Sequence, residues 1–214
     1  RQMCIRDRYS GHVIGGRCLF PGSGFVEMGL AAGVRMMSQE GGSVESGIEL
    51  LDVSFMSPCD IDHGCKLVSE HIYGRGMEFF RGDEMDVGEG HVVPCATIGE
   101  IRTGPSTASV DGSLSIQGHS IETLNDWKNT HHDKVAFADV QERYDRSAKQ
   151  GFHSGAFQSI ESVWMSNDGK SALGQLCLPD DWEEHEHDAF YHAHPAVLDG
   201  AFQLIGFLIG ESSV

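Results

Sequence analysis

A histidine near the start of the chain stands in a setting that suits proton abstraction. His12 is followed by Gly16 and then by Pro21, where a mostly apolar stretch begins. A neutral imidazole is a general base near physiological pH, and the free N–H groups at the start of a helix can polarise a carbonyl. The stretch therefore predicts a base beside a carbonyl-binding turn. The alternative is a loop histidine that packs on a turn.

A second group of residues, near the end of the chain, suits proton donation. Asp199 and Gln203 are four residues apart in the apolar run that follows His194. Residues at this spacing share one face of a helix. A carboxyl group carried into an apolar interior favours its protonated form, which can give a proton to a leaving group. The alternative is a buried aspartate satisfied by Gln203 or by the backbone.

The elements that must position these residues are helices and antiparallel strands. The pattern predicts buried helices over 20–37 and 195–210 and an amphipathic helix over 137–150. Period-two stretches predict strands over 47–58, 65–73, 91–101, 157–166 and 171–178, the last two joined by a turn at 167–169. A helix against an antiparallel sheet therefore occurs twice, which predicts an α+β fold. A base in one half and an acid in the other suit a reaction that removes one proton and delivers another, such as elimination of water from a 3-hydroxyacyl thioester.

Composition predicts two units and excludes several classes of partner. The polar, aperiodic stretch 103–136 predicts a linker between units at 10–102 and 137–214, and residues 1–9 are predicted to be non-native or disordered. The net charge of −17 argues against a nucleic-acid or anionic-membrane binder. No apolar run reaches the length of a membrane span, and the six scattered cysteines indicate free thiols of a soluble, cytoplasmic protein.

The two residue groups match the signatures of a known family. His12, Gly16 and Pro21 fit HxxxGxxxxP, and the run from His194 to Gln203 fits HPxxLDxxxQ. The chain thereby resembles polyketide synthase dehydratase domains. The resemblance extends over nearly everything after residue 9, including 20–28, 48–58 and 144–179.

The resemblance implies a fold, a reaction and a set of site residues. The fold would be a double hotdog, in which two long buried helices are each wrapped by an antiparallel sheet. His12 would abstract the α-proton, Asp199 would protonate the departing hydroxyl and Gln203 would orient Asp199. Gly16 and Pro21 would shape the turn that holds the histidine. Substrate-binding positions are implied at Gly22, His153, Phe157, Gln158 and His194.

The resemblance also implies partners. The acyl chain would be carried on the phosphopantetheine of an acyl carrier protein, beside other domains of a polyketide or polyunsaturated fatty-acid synthase. The domain itself would need no metal and no dissociable cofactor, and a homodimer is left open. Two other sets of metal-ligand types, His185 with His187 and His192, and Cys59 with His63 and Cys65, are interpreted as a solvated loop and as an incomplete ligand set.

Two features depart from the family pattern. The usual Tyr-Gly-Pro-x-Phe-Gln stretch begins here with His153, while Phe157 and Gln158 are kept. Only 11 residues follow Gln203, so the second hotdog is predicted to be incomplete, with one face of its helix exposed. Two alternatives stay open: a product-template-like cyclase on the same fold, and a non-catalytic double-hotdog scaffold module.

Overall fold

The described residues form one four-stranded sheet, two three-stranded sheets and four α-helices. The computed structural model describes residues 9–39, 47–61, 66–72, 76–82, 93–104, 125–126, 128–129, 132–135, 137–177 and 192–209. The strands are β1 (Val13–Ile14), β2 (Arg17–Phe20), β3 (Gly47–Phe55), β4 (Cys59–Asp60), β5 (Lys66–Ile72), β6 (Gly76–Gly82), β7 (Val93–Gly104), β8 (His132–Lys134), β9 (Ile160–Ser166) and β10 (Ala172–Leu176). The helices are α1 (Gly22–Gln39), α2 (Phe137–Lys149), α3 (Pro195–Gln203) and α4 (Ile205–Leu208), with a 3₁₀ turn at Gly155–Phe157.

Helix α1 lies on a four-stranded antiparallel sheet of order β3-β7-β6-β5. Its glycines allow this close approach: a Cβ on Gly33 would stand 2.7 Å from Cγ2 of Ile48. Phe25 packs against Phe79, which is fully buried, with ring centroids 5.1 Å apart. The predicted helix and the strands over 47–58, 65–73 and 91–101 are confirmed to within a few residues.

Strand β6 is absent from the expectations drawn from the sequence. It has only five residues between Gly76 and Gly82, and a register shift falls between Phe79 and Phe80. The shift interrupts the inward-outward alternation that marks a strand, and flanking glycines are typical of loops. Pairing with β5 on one side and β7 on the other makes this short segment a central strand.

The second half packs three helices against a sheet of order β10-β9-β8. The predicted hairpin is confirmed: β9 and β10 are antiparallel, and Gly169 in the connecting turn has a φ of 68°. The core of this half contains Val140, Tyr144, Ile160 and Val163.

The predicted helix over 195–210 is divided in two. It begins at Pro195 as expected, but α3 ends at Gln203 and α4 continues after Leu204. The side chains of Phe202, Ile205 and Ile209 are 43%, 57% and 62% exposed. The apolar face that was expected to be open is therefore open in the structure.

Backbone hydrogen bonds join the two halves at the start of the chain. The N–H of His153 donates to the Val13 carbonyl at 3.1 Å, and that of Ser154 donates to the Gly11 carbonyl at 2.8 Å. Gly11 is required here, because a Cβ at this position would collide with the Ser154 carbonyl oxygen. This pairing places His153 beside His12.

The proposed unit boundaries stay a prediction, and residues 105–124 lie outside the described residues. Of the six cysteines, Cys18, Cys59 and Cys95 are buried, and Cys177 is exposed. Within the part of the chain that the structure describes, no helix combines the length and the apolar character needed to cross a membrane.

Candidate active site

His12 is buried at the junction of the two halves. Both its backbone N–H and its backbone carbonyl are hydrogen-bonded. Its N–H donates to the Tyr9 carbonyl at 2.9 Å, and its carbonyl accepts from the Leu19 N–H at 3.1 Å. The ring Nδ1 lies 2.8 Å from the Leu19 carbonyl oxygen. A carbonyl can only accept, so Nδ1 carries the hydrogen and the neutral ring has its lone pair on Nε2.

Asp199 presents one free carboxyl oxygen to that lone pair. The carboxyl group is on α3 and only 6% of the residue is exposed. Its Oδ2 accepts a hydrogen bond from Gln203 Nε2 at 2.7 Å. Its Oδ1 lies 3.8 Å from His12 Nε2. Because Oδ2 is engaged as an acceptor, a proton on this carboxyl group resides on Oδ1, which faces His12.

Gln203 is held by two further hydrogen bonds. Its Nε2 also donates to the Phe157 carbonyl at 2.9 Å, and its Oε1 accepts from the Tyr144 hydroxyl at 3.1 Å. The Gln203 side chain is thus held by three hydrogen bonds, one of them to Asp199. Its role in orienting Asp199 stays a prediction.

Tyr144 is a site residue that the sequence analysis did not single out. Its hydroxyl also accepts from the Ile160 N–H at 3.0 Å. Burial raises the pKa of Tyr144 to about 12, against the opposing effect of the Ile160 hydrogen bond. The hydroxyl is therefore a stable donor to Gln203 at physiological pH. Tyr144 lies in the predicted helix over 137–150 and at the start of the stretch 144–179 that resembles the family, but neither pattern indicates a polar role for its hydroxyl.

His153 stands close to both reactive side chains. Its Nε2 lies 3.5 Å from Asp199 Oδ2, and its ring centroid is 5.2 Å from that of His12 in an edge-to-face arrangement. Burial lowers the pKa of His153, the charge of Asp199 opposes this, and His12 adds to the lowering. Its φ of 26° is unusual for a non-glycine residue, and the backbone pairing with Val13 holds it there.

Of the other implied substrate positions, Phe157 lies in the site, whereas Gln158 and His194 hydrogen-bond to backbone groups near it. Phe157 packs on His12, with ring centroids 5.2 Å apart. Gln158 Nε2 donates to the His153 carbonyl at 3.1 Å and so supports that residue. His194 is the N-cap of α3, since its Nδ1 accepts from the Ala196 N–H at 3.1 Å.

The glycine and proline positions of the first motif shape the backbone. Gly15 and Gly16 form the turn between β1 and β2, with φ values of 59° and 77°, which side chains rarely adopt. Pro21 is fully buried immediately before α1. Gly22 begins that helix, where a Cβ would stand 3.1 Å from Cζ of Phe55.

Glu27 joins α1 to the segment before α3, and sequence reasoning missed it. The residue is 4% exposed, and its two carboxyl oxygens accept from the N–H groups of His192 and Ala193 at 2.8 and 2.9 Å. These bonds cross 165 and 166 residues of sequence. They place the start of α3, and with it Asp199, relative to the first half.

A cleft of about 480 Å³ lies beside Gln203, the side chain that hydrogen-bonds to Asp199. His153 and Gln203 form part of its wall, and much of the remainder is apolar, including Val140, Ile160 and Phe207. An apolar chain lying in this cleft would reach the side chain that holds Asp199.

The ligand atoms of His12, His153 and Asp199 all lie within 4.8 Å of one another. Of the two sets interpreted as not binding metal, His185, His187, His63 and Cys65 lie outside the described residues. Cys59 is buried in the core of the first half.

Comparison with known proteins gives a family match and a set of structural neighbours. Residues 128–213 match the family model described as polyketide synthase dehydratase N-terminal domain. No curated protein sequence matches the chain.

Three solved dehydratase structures are representative of the neighbours. The domain from the CurF module of curacin polyketide synthase has a TM-score of 0.67 and 22% identity, covering 97% of this chain and 67% of that one. GphF dehydratase 1 has a TM-score of 0.66 and 22% identity, covering 95% and 64%. The domain from the terminal module of the rifamycin polyketide synthase has a TM-score of 0.64 and 17% identity, covering 95% and 66%.

This chain thus spans about two thirds of the length of its structural neighbours. The expected resemblance is confirmed: the chain has the α+β double-hotdog fold of polyketide synthase dehydratase domains, and its residues 128–213 match that family in sequence.

Proposed function

We propose that this site eliminates water from a 3-hydroxyacyl thioester to give the α,β-unsaturated thioester. The observation that carries the proposal is the pair formed by His12 and Asp199. The lone pair of Nε2 and the free Oδ1 lie 3.8 Å apart in a buried setting, so a base and an acid face the same small space.

The reaction can be balanced with these two groups alone. His12 Nε2 takes the proton from the carbon next to the thioester carbonyl, and the released electron pair forms the carbon–carbon double bond. The bond from the β-carbon to the hydroxyl oxygen breaks as Asp199 Oδ1–H protonates that oxygen, and water leaves. Proton return from the imidazolium to the carboxylate, across the same short gap, restores both groups.

The surrounding residues support this assignment of roles. Leu19 fixes the tautomer of His12, and Gln203 directs the acidic proton of Asp199 to the oxygen that faces the base. The cleft beside Gln203 offers apolar walls to an acyl chain. Among the structural neighbours, a His-to-Phe and an Asp-to-Asn variant of the CurK dehydratase are both described as inactive mutants.

The double-hotdog fold and the family match over residues 128–213 support a proposal for the substrate carrier and partners. We infer that the acyl chain arrives on the phosphopantetheine of an acyl carrier protein and that the domain works beside other synthase domains. In this proposal the dehydration needs no cofactor of its own. Every neighbour named above is a dehydratase domain, so neither the cyclase nor the scaffold alternative is favoured.

The test is a mass-spectrometric assay of a 3-hydroxyacyl pantetheine thioester, scored by loss of one water. His12→Ala and Asp199→Asn should each lower the rate by about a hundred- to ten-thousand-fold. Asp133→Asn is the matched control, because it makes the same change at an exposed carboxyl group and should leave the rate unchanged. Since the neighbours are longer than this chain, the assay is run in parallel on any longer form that its gene encodes.

Full activity of Asp199→Asn would overturn the acid assignment. A folded protein that catalyses neither dehydration nor the reverse hydration would return the question to the cyclase and scaffold alternatives.

A further inference from the structure

Three metal-ligating side chains from three separate segments converge at the junction of the halves. His12 comes from the turn before β1, His153 from the loop after α2, and Asp199 from α3. His12 and Asp199 are buried, and the side chain of His153 is only 19% exposed. These are not groups that meet by chance on a solvated surface.

The spacing of the ligand atoms is near that of a transition-metal site. A tetrahedral ion with bonds of 2.0–2.1 Å holds its ligand atoms about 3.4 Å apart. One ligand atom from each of the three residues can be chosen so that all lie within 4.8 Å of one another. His12 Nε2 lies 3.8 Å from Asp199 Oδ1, and His153 Nε2 lies 3.5 Å from the other carboxyl oxygen, Oδ2. Small rotations of the side chains would bring the three donors onto one ion.

Protonation and supporting hydrogen bonds also suit a metal. The Leu19 carbonyl holds the hydrogen of His12 on Nδ1 and leaves Nε2 open as a ligand. An outer hydrogen bond of this kind orients and strengthens a ligating imidazole. Gln203 engages one oxygen of Asp199 and leaves the other open.

We propose that His12, His153 and Asp199 form a binding site for one divalent transition-metal ion of the Zn²⁺ class. Two imidazole nitrogens and a carboxylate oxygen suit Zn²⁺ and its neighbours better than Mg²⁺ or Ca²⁺, which prefer all-oxygen sites. Three protein ligands leave a further coordination position for water or an acyl oxygen. The residue that completes the set is His153, which stands where the family pattern has tyrosine.

The consequence for catalysis rests on the proposed function. An ion on His12 Nε2 occupies the lone pair that abstracts the α-proton, and the same ion engages Asp199. Metal binding and dehydration therefore compete for the same two side chains, and Zn²⁺ acts as an inhibitor that a chelator reverses.

Binding is tested directly, without reference to activity. The chain is treated with a chelator, dialysed and titrated with Zn²⁺ by calorimetry. One ion should bind per chain at this site. His153→Phe and Asp199→Asn should each weaken binding by about a hundredfold or more, since loss even of an outer hydrogen-bond partner costs ten- to a hundredfold. The visible absorption of bound Co²⁺ should lose intensity in the same two variants.

The competing location for zinc is the histidine-rich stretch around His185 and His187, and it provides the matched control. A variant with His185→Ala and His187→Ala should keep the affinity of the unaltered chain at the proposed site. Loss of binding in this variant, with retention in His153→Phe, would overturn the proposal. Circular dichroism of each variant establishes that it is folded, and Asp199→Asn, which keeps the shape of the side chain, serves if His153→Phe does not fold.

The two proposals fail in different ways. Zinc binding that depends on His153, in a folded chain that dehydrates no substrate, would refute the proposed function and leave the metal site standing. Dehydration that millimolar Zn²⁺ does not inhibit, with no calorimetric binding, would refute the metal site and leave the function standing.

Discussion

Replacing Gln203 with leucine should destabilise the fold and disorder the acid of the site. The substitution keeps the size of the side chain and removes three hydrogen bonds: to Asp199, to the Phe157 carbonyl and from the Tyr144 hydroxyl. Two neutral bonds at about 1 kcal/mol each and one bond to a carboxyl group at about 2 kcal/mol predict a loss of about 4 kcal/mol in the free energy of unfolding.

Urea denaturation followed by circular dichroism measures this loss. With a slope of about 2–3 kcal/mol per molar urea, the midpoint should fall by about 1.3–2 M. Gln175→Leu is the control: it removes one hydrogen bond, from Gln175 Nε2 to Glu161 Oε2, on the exposed surface of the hairpin. That variant should lose no more than about 0.5 kcal/mol.

A second readout separates positioning from stability. At a temperature where Gln203→Leu is still folded, the dehydration rate should fall by at least tenfold, because Asp199 is free to turn its proton away from the substrate. A misplacement of about 1 Å can cost about a hundredfold in rate. A loss of stability no larger than that of Gln175→Leu would refute the reasoning, since it would mean that the three hydrogen bonds contribute nothing net.

Two further predictions concern the elements that support the site. Glu27→Gln should lower the free energy of unfolding by about 2–3 kcal/mol, because an amide can no longer offer two oxygens to the N–H groups that Glu27 engages. Burial raises the pKa of Tyr144 to about 12, above the value of about 10 in an unfolded chain. The contribution of Tyr144 to the free energy of unfolding is therefore complete below pH 10. About 1.4 kcal/mol of it is lost by pH 11, because the unfolded chain releases the tyrosine proton at a lower pH than the folded chain does. Urea denaturation checks both predictions. Glu27→Gln is measured at neutral pH, and the unaltered chain and Tyr144→Phe are each measured at pH 9 and at pH 11.

Each of these predictions has its own control. Glu142→Gln changes an exposed partner of Arg146 on α2 and should cost no more than about 0.5 kcal/mol. An equal loss in Glu27→Gln and Glu142→Gln would contradict the first prediction. For the second, Tyr144→Phe should show a smaller fall in stability between pH 9 and 11 than the unaltered chain, and an identical fall in both would contradict it.

Local pattern was enough to find the helices, half of the described strands and the two candidate reactive residues. The apolar periodicity of α1 and the start of α3 at Pro195 are properties of short stretches, and so is the hairpin turn that ends at Gly169. The hydrogen bond between Gln203 and Asp199 also follows locally, because residues four apart on a helix meet on one face.

Long-range pairing decided what surrounds those residues. No local pattern indicates that Glu27 holds a segment 165 residues away, or that Tyr144 holds Gln203 across 59 residues. The approach of His153 to His12 depends on the backbone hydrogen bonds near Gly11. Because Gly11 has no side chain, the segment around it can lie against the segment around Ser154.

The sequence by itself determined the helical segments, five of the ten described strands, and the candidate base and acid at His12 and Asp199. Helical and strand periodicities and motif spacings are properties of short stretches of chain, so they can be read without the fold. The tertiary structure decided the 3.8 Å separation of His12 from Asp199, the approach of His153 to both of them and the placement of β6. These depend on which distant segments share hydrogen bonds and buried surface, and that is a property of the whole folded chain.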